Sequence, residues 1–471
     1  MKPDIRNLMN ILPRAITFSH LRGGAVLAVL AGAALLERPS GQTAAPPPPP
    51  FPTGNLIPSG LVVSRVDTAG TAPALPVSHP DKFAWTLFVR VNQKAAAQVA
   101  IKGRPGLLSN NAIWETWADD AWTFPADPDP RNPPKWPTEA QPGLHKSTIR
   151  RAVGSHAGPA SEGADVQTLV PEGFTAPNGS GVGEEVRRNQ ITFDYIIANG
   201  LWYQQGIAAF FARAAAAVED NLKFTTASIS FPRDSIEVKA NWIVIAEADK
   251  PRFHWNYDTS GQLLGLVAMH IVSKDVPNWF WCTFEHVDNP GRGDYIGSHD
   301  SYGAEPAHIP SRTDKLFQTY PAEKQTAALL ALLGKNGFTG AWGAQWQHYR
   351  LKGSQIDFTD PAGRPLLLGN SVTEAGFVPT ASCITCHARA AVTARGTSAF
   401  PRFSEQTSLP LVNIAQQGTP NGAILTYNGP PDPGWYFRNM GAFSKQGLAR
   451  LENLQTDFVW AIPFRASPAK P

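Results

Sequence analysis

Cysteine is nearly absent, with three residues in a chain of 471. A structural zinc site wants about four ligands, and no second cysteine pair exists to complete one. Methionine is almost as scarce: past Met1 and Met9 only Met269 and Met440 remain as sulfur ligands for a metal. Charged residues make up 17% and the net charge is +3, too weak a surplus to argue for nucleic acid or a membrane surface as partner. No internal repeat, Walker loop, Ser/His/Asp signature or paired-carboxylate motif stands above background. Gly179, Gly181 and Gly183 lack the strand-to-helix context of a phosphate loop.

Other residues are plentiful. Hydrophobic residues, at 42%, suffice for a sizeable core. Fourteen tryptophans and 24 phenylalanines suit a core packed with rings, and such rings also wall flat cofactors. The 43 prolines and 40 glycines imply many turns and long connections. At the N-terminus, Lys2, Arg6, Arg14 and Arg22 precede 13 apolar or small residues, Gly24 to Leu36. A basic flank before a short apolar run is the pattern of a secretory signal. A membrane-spanning helix needs about 20 residues. Thr43 and Ala45 are small enough for cleavage, yet Pro46 follows them. Residues 1–36 are therefore expected to be an export signal or a retained membrane anchor. Residues 37–58, with Pro46 to Pro50 and Pro52, read as an extended linker. An α+β, β-rich body is expected over 59–310, and 311–471 as a segment packed on it.

Within the body, strands are predicted at Ala84–Val91 and around Trp114–Trp122, and a proline-dense loop over 125–142. Residues 153–189 read as irregular. A helix is predicted from Ile191 to about Asp220, bent at Gly200 and Gly206. Ile236–Val244 alternates as a strand. The turn Asp258-Thr259-Ser260-Gly261 precedes a strand at Leu263–Val272, and Trp279–Val287 places Phe280, Cys282, Phe284 and His286 on one face. A helix is predicted at Pro321–Leu333, with short strands at Trp346–Leu351 and Gln355–Phe358. Residues 396–435 read as loop. A helix at Leu448–Gln455 and a strand at Phe458–Ile462 close the chain.

One stretch carries chemistry: Cys383-Ile384-Thr385-Cys386-His387. Two cysteines three apart, with histidine directly after, is the attachment pattern of c-type haem. Each thiol adds across one vinyl group of the porphyrin, and the histidine binds iron through an imidazole nitrogen. On a helix, positions i, i+3 and i+4 share a face, so all three groups reach one cofactor. Ser382 is placed to cap that helix, Ala388, Ala390 and Ala391 favour it, and Gly396 is placed to end it. The bland alternatives are a redox-active cysteine pair or half of a zinc site. Thioether attachment takes place outside the cytoplasm, so the export segment and the motif point to one compartment, the periplasm.

His387 supplies one iron ligand, and the sixth position is undecided. Met440 is the first candidate, and Met/His ligation would favour electron transfer. His286, beside an aromatic strand, is the second. Met269 and His270 are adjacent on one strand, so at most one of them faces a given site. His348 is a weaker candidate. Arg389 and Arg395 flank the motif as partners for propionates, or stand as exposed helix arginines. Cys282 reads as a small buried hydrophobe.

Asn370 to Ala394 resembles the surroundings of the motif in bacterial c-type cytochromes. With Met269-His270-Ile271-Val272, the run Trp279 to Asn289 and Thr456-Asp457-Phe458, the chain is similar to large, exported, single-haem "cytochrome c family" proteins. That resemblance implies one covalent haem c, thioethers at Cys383 and Cys386, and His387 as proximal ligand. It implies no reaction. Small soluble cytochromes c carry the motif near the start of a short helical domain, whereas here more than 300 residues precede it. The standard small helical fold is therefore not expected. Three functions stay open: periplasmic electron transfer with redox partner proteins, a haem enzyme acting on a peroxide or nitrogen oxide at an open iron, and a haem-based sensor.

Overall fold

The computed structural model describes residues 75–137, 183–220, 228–289, 299–305, 324–374, 381–399, 430–438 and 450–470, apart from a few positions within them, together with Arg150 and Arg151. The segment expected to direct export, the proline-rich linker and Met440 lie outside these residues. Among the described residues no helix is long and apolar enough to cross a membrane.

An antiparallel sheet organises the rest. Its strands are β1 (Ala118–Asp119), β2 (Arg150–Arg151), β3 (Gly183–Arg188), β4 (Ile236–Val244), β5 (Trp255–Tyr257), β6 (Leu263–Ser273) and β7 (Phe280–His286). The short pair β8 (Ala304–Glu305) and β9 (Lys324–Gln325) stands apart, and β10 (Tyr349–Gln355) returns to the sheet. The order is β1-β3-β4-β6-β7-β10, with β2 on β3 and β5 on β6. In β4, Ile236, Val238, Ala240 and Trp242 join the main apolar core, and Glu237 and Lys239 take the other face. β6 is buried almost throughout, because both faces of the sheet are covered.

Against the apolar face lies α1 (Pro80–Val91). Phe83 meets Phe280 at 4.8 Å between ring centroids, and Phe88 meets Phe284 at 4.4 Å. The strand predicted at Ala84–Val91 is therefore a helix. Its residues are buried on nearly every side, so the sequence shows no clear period. Pro80 in the first turn presets φ, and Asp81 suits the helix N-terminus. Around Trp114–Trp122 the predicted strand is replaced by a 3-10 turn at Ile113–Thr116, β1, and α2 (Asp120–Thr123), which Asp119 caps through the Trp122 amide. The predicted irregular stretch 153–189 ends in β3.

The helix predicted from Ile191 is two helices, α3 (Gln190–Ala198) and α4 (Gln204–Asp220). Gly200 separates them at φ +68°, where a side chain would be strained. Gly206 is not a bend; a Cβ there would lie 2.1 Å from the Gly200 carbonyl. After α5 (Ala327–Lys335), capped by Thr326, come α6 (Cys383–His387), β11 (Ala391–Val392), β12 (Phe437–Arg438), β13 (Arg450–Leu451), β14 (Leu454–Gln455) and α7 (Ala461–Arg465). Within the helix predicted at Leu448–Gln455, the described residues from Arg450 on form a pair of short strands, which join β12 and β11. The predicted strand at Phe458–Ile462 is a turn leading into α7. The two short strands predicted between Trp346 and Phe358 are one, β10.

Residues of α3, α4, α6, α7 and the C-terminal turns form a second core, which packs on Trp279 and Trp281 from the sheet side. Helix and strand are nearly balanced, so the architecture is mixed α+β. β10 comes from the segment expected to pack on the body, yet it is a strand of the body's own sheet, paired with β7.

Candidate cofactor site

α6 is short, and its start is not held as expected. Ser382 occupies the cap position but makes no capping bond. Gln355, at the end of β10, does that work. Its Oε1 accepts from the Ile384 amide at 3.1 Å, and its Nε2 donates to Ser382 Oγ at 3.1 Å. The helix ends at His387, and Ala391 belongs to β11.

Cys383, Cys386 and His387 line one cavity, partly open to solvent. The opposite wall is the polar face of the sheet. Register puts Lys239 beside His270, and Glu237 beside Val272, which in turn stands beside Trp281. Leu368 and Ala381 add apolar surface, and Glu374 completes the polar side.

His387 Nδ1 lies 2.8 Å from the Phe458 carbonyl. A carbonyl only accepts, so Nδ1 carries the proton and Nε2 carries the lone pair a metal would take. The ring leans on Trp281, with centroids 4.6 Å apart. Burial pushes the imidazole's pKa down to about 4, and the nearby Lys239 and His270 add to the shift. His387 is thus neutral, the form that ligates metals.

Neither thiol is activated. Burial pushes Cys386 up to about 12, against the opposing effect of Arg389. Burial likewise raises Cys383 well above the ordinary thiol value, and its Sγ points to the Leu368 carbonyl at 3.4 Å. Redox-active pairs depend on a lowered thiol pKa, and burial shifts both of these thiols the other way. Among the described residues, no group of three or more His, Cys, Asp or Glu is placed to hold a metal ion. Two thiols and an imidazole share one wall with the apolar surface of Leu368 and Ala381 beside them, the donor set that covalent attachment of a porphyrin would use.

The candidates for the sixth position fall in different places. Met440 lies outside the described residues. His286 faces the apolar side of the sheet, stacked on Phe253 at 3.9 Å. Its Nε2 sits 3.0 Å from the Arg252 carbonyl and its Nδ1 accepts from the Asp288 amide at 3.2 Å, so both nitrogens are engaged and neither points to the cavity. Met269 is in the main core, receiving Asn92 Nδ2 at 3.6 Å. His270, its neighbour, lines the cavity. Its buried Nε2 lies 3.3 Å from Glu374 Oε1 but makes no aligned hydrogen bond. Burial tends to raise the Glu374 carboxyl, yet His270, Lys239 and the Asn370 amide together hold it below its ordinary value.

Arg389 is neither exposed nor on the cavity wall. It is fully buried, donates to the Thr385 carbonyl and lies 4.5 Å over the Trp435 ring. Arg395 is exposed. Cys282 is buried in the main core and donates to the Ile271 carbonyl. Sequence reasoning missed Lys239 and Glu374. The available signal was a strand, β4, carrying charges on a face that turns out to be covered.

No protein-family model, curated protein or solved structure matches the chain.

Proposed function

We propose that this chain is an exported protein carrying one covalent haem c, used for one-electron transfer in the periplasm with redox partner proteins. One observation carries the reading: the Cys-x-x-Cys-His residues share a cavity wall, and the Phe458 carbonyl holds the proton of His387 on Nδ1. Cys383 and Cys386 would form the thioethers and His387 the proximal bond. Trp281, Val272 and Leu368 would pack on the ring and keep water from it. The haem supplies a one-electron couple; the protein supplies orientation and a neutral imidazole of fixed tautomer.

Acid–acetone extraction of the purified protein tests this. Haem should stay with the polypeptide, with the mass increased by one haem, and Cys383→Ala/Cys386→Ala should lose it. Complete extraction of haem from the wild type would end the reading.

A second reading, an open iron acting on a small weak acid, gains support from His270 and Glu374. The sequence offers no acid–base pair; the fold brings this one to the cavity. There His270 would take the proton that such a ligand gives up on binding. Cyanide, which sheds a proton when it binds ferric haem, is the probe. His270→Ala should slow its uptake by about 100-fold and leave carbon monoxide uptake by the reduced protein unchanged. A low-spin wild type that binds neither ligand returns the protein to electron transfer with a closed iron.

A further inference from the structure

We infer that Lys274 and Asp457 are positioning residues for His387: they clamp a strained turn so that its Phe458 carbonyl meets Nδ1 of the imidazole. The inference rests on the haem c reading for its redox consequence, though not for its geometry.

Backbone strain is the first observation. Among the described residues, three non-glycine residues have positive φ: Trp279 at +60°, Asp457 at +47° and Phe458 at +70°. Such conformations persist only where the surroundings over-determine them, and they gather at functional sites. Two of the three adjoin the carbonyl that faces His387. The third ends the β6–β7 turn, which approaches the same place.

The second observation is what holds them. Lys274, the residue after β6, is buried, and its Nζ donates to Asp457 Oδ1 at 2.6 Å and to the Pro277 carbonyl at 2.6 Å. It also lies 5.6 Å from the Trp279 ring centroid. Asp457 Oδ2 accepts from the Phe231 amide at 2.7 Å. The turn is fixed at its base as well. The Thr456 amide donates to the Ala390 carbonyl at 2.8 Å, just past α6, and Thr456 Oγ1 donates to the Val459 carbonyl at 2.9 Å. Two separate chain segments thus converge on Asp457, a third holds the preceding Thr456, and the next residue presents its carbonyl to His387.

This arrangement has a use. An imidazole whose N–H donates to a fixed acceptor is a stronger ligand through its other nitrogen. A stronger donor favours ferric over ferrous iron and lowers the reduction potential. Lys274→Met removes the ammonium, frees the Asp457 carboxylate and lets the turn relax away from Nδ1.

The test uses the full chain in two forms. In the cofactor-free protein, 15N-edited NMR reads the His387 Nδ1–H. The wild type should show one slowly exchanging ring proton. In Lys274→Met and in Asp457→Asn its exchange should quicken by about tenfold or more, and Lys274→Arg, which keeps the ion pair, should stay near wild type. In the haem-loaded protein, the first two variants should show a raised reduction potential and Lys274→Arg an unchanged one. A wild type without a protected Nδ1–H overturns the inference. So does a variant that loses thermal stability while ring-proton exchange and potential stay at wild-type values, the signature of a merely structural ion pair. Asp457→Asn keeps an acceptor for the Phe231 amide and serves if Lys274→Met does not fold. If extraction shows no covalent haem, the haem reading fails alone, and the cofactor-free spectra still decide the clamp.

Discussion

At the scale of single residues, burial decides most of the chemistry. It keeps His387 neutral and both motif thiols protonated. It also raises Asp275, beside the β6–β7 turn, to about 6, helped by the nearby Asp234 and opposed by the Ser273 hydroxyl. The sign follows. A carboxyl with a raised folded pKa contributes stability that is fully present below its unfolded pKa, near 4. That contribution is lost as the pH rises through about 6. Asp275→Asn stays neutral throughout, so it should gain on wild type by about 3 kcal/mol at pH 8 and by little at pH 4. Urea unfolding at the two pH values checks this; equal differences at both would show that Asp275 titrates normally. That Cys383, Cys386 and His387 share one cavity follows from a spacing that is local and visible in the sequence. His270 was half legible: the alternation of β6 required Met269 and His270 to face opposite sides. Which side held the cavity depended on α6, more than 100 residues later.

At the scale of elements, the strands with a clean alternation, β4 and β7, appear close to where the sequence predicts them, and so does the long apolar β6. The elements that differ share a physical cause. α1 is buried all round, so its sequence has no period to distinguish helix from strand. β13 and β14 are two residues each and exist through pairing with β12 and β11. Local propensity carries no trace of such partners. The cap of α6 is the same case. Ser382 was the local choice, and Gln355 from a distant strand takes the role. Gly200 and Gly206 were read alike as bends in one helix, yet Gly200 separates two helices and Gly206 sits within the second, because only Gly200 adopts positive φ.

At the scale of the molecule, a division near residue 310 runs through one sheet. β10 pairs with β7 from Tyr349–His286 to Gln355–Trp281, and it also anchors α6 through Gln355. A chain of residues 59–310 would leave the β7 edge open and Trp281 without its covering layer. Expressed alone, it should aggregate or lack a cooperative thermal transition, by light scattering and circular dichroism. A monomer with a sharp transition would restore the two-part organisation. The cavity explains why the two parts are inseparable, since each contributes one wall.

The order in which those walls leave the ribosome has its own consequence. The polar wall, β4 to β7, emerges first. The cysteines and His387 come roughly a hundred residues later, and the acceptor for His387 Nδ1 follows 71 residues after the histidine itself. For that interval the motif is outside while its latch is not yet made. Any modification of Cys383 and Cys386 has its widest access then. The Thr456–Phe458 turn, synthesised last, supplies the contact that closes on the imidazole.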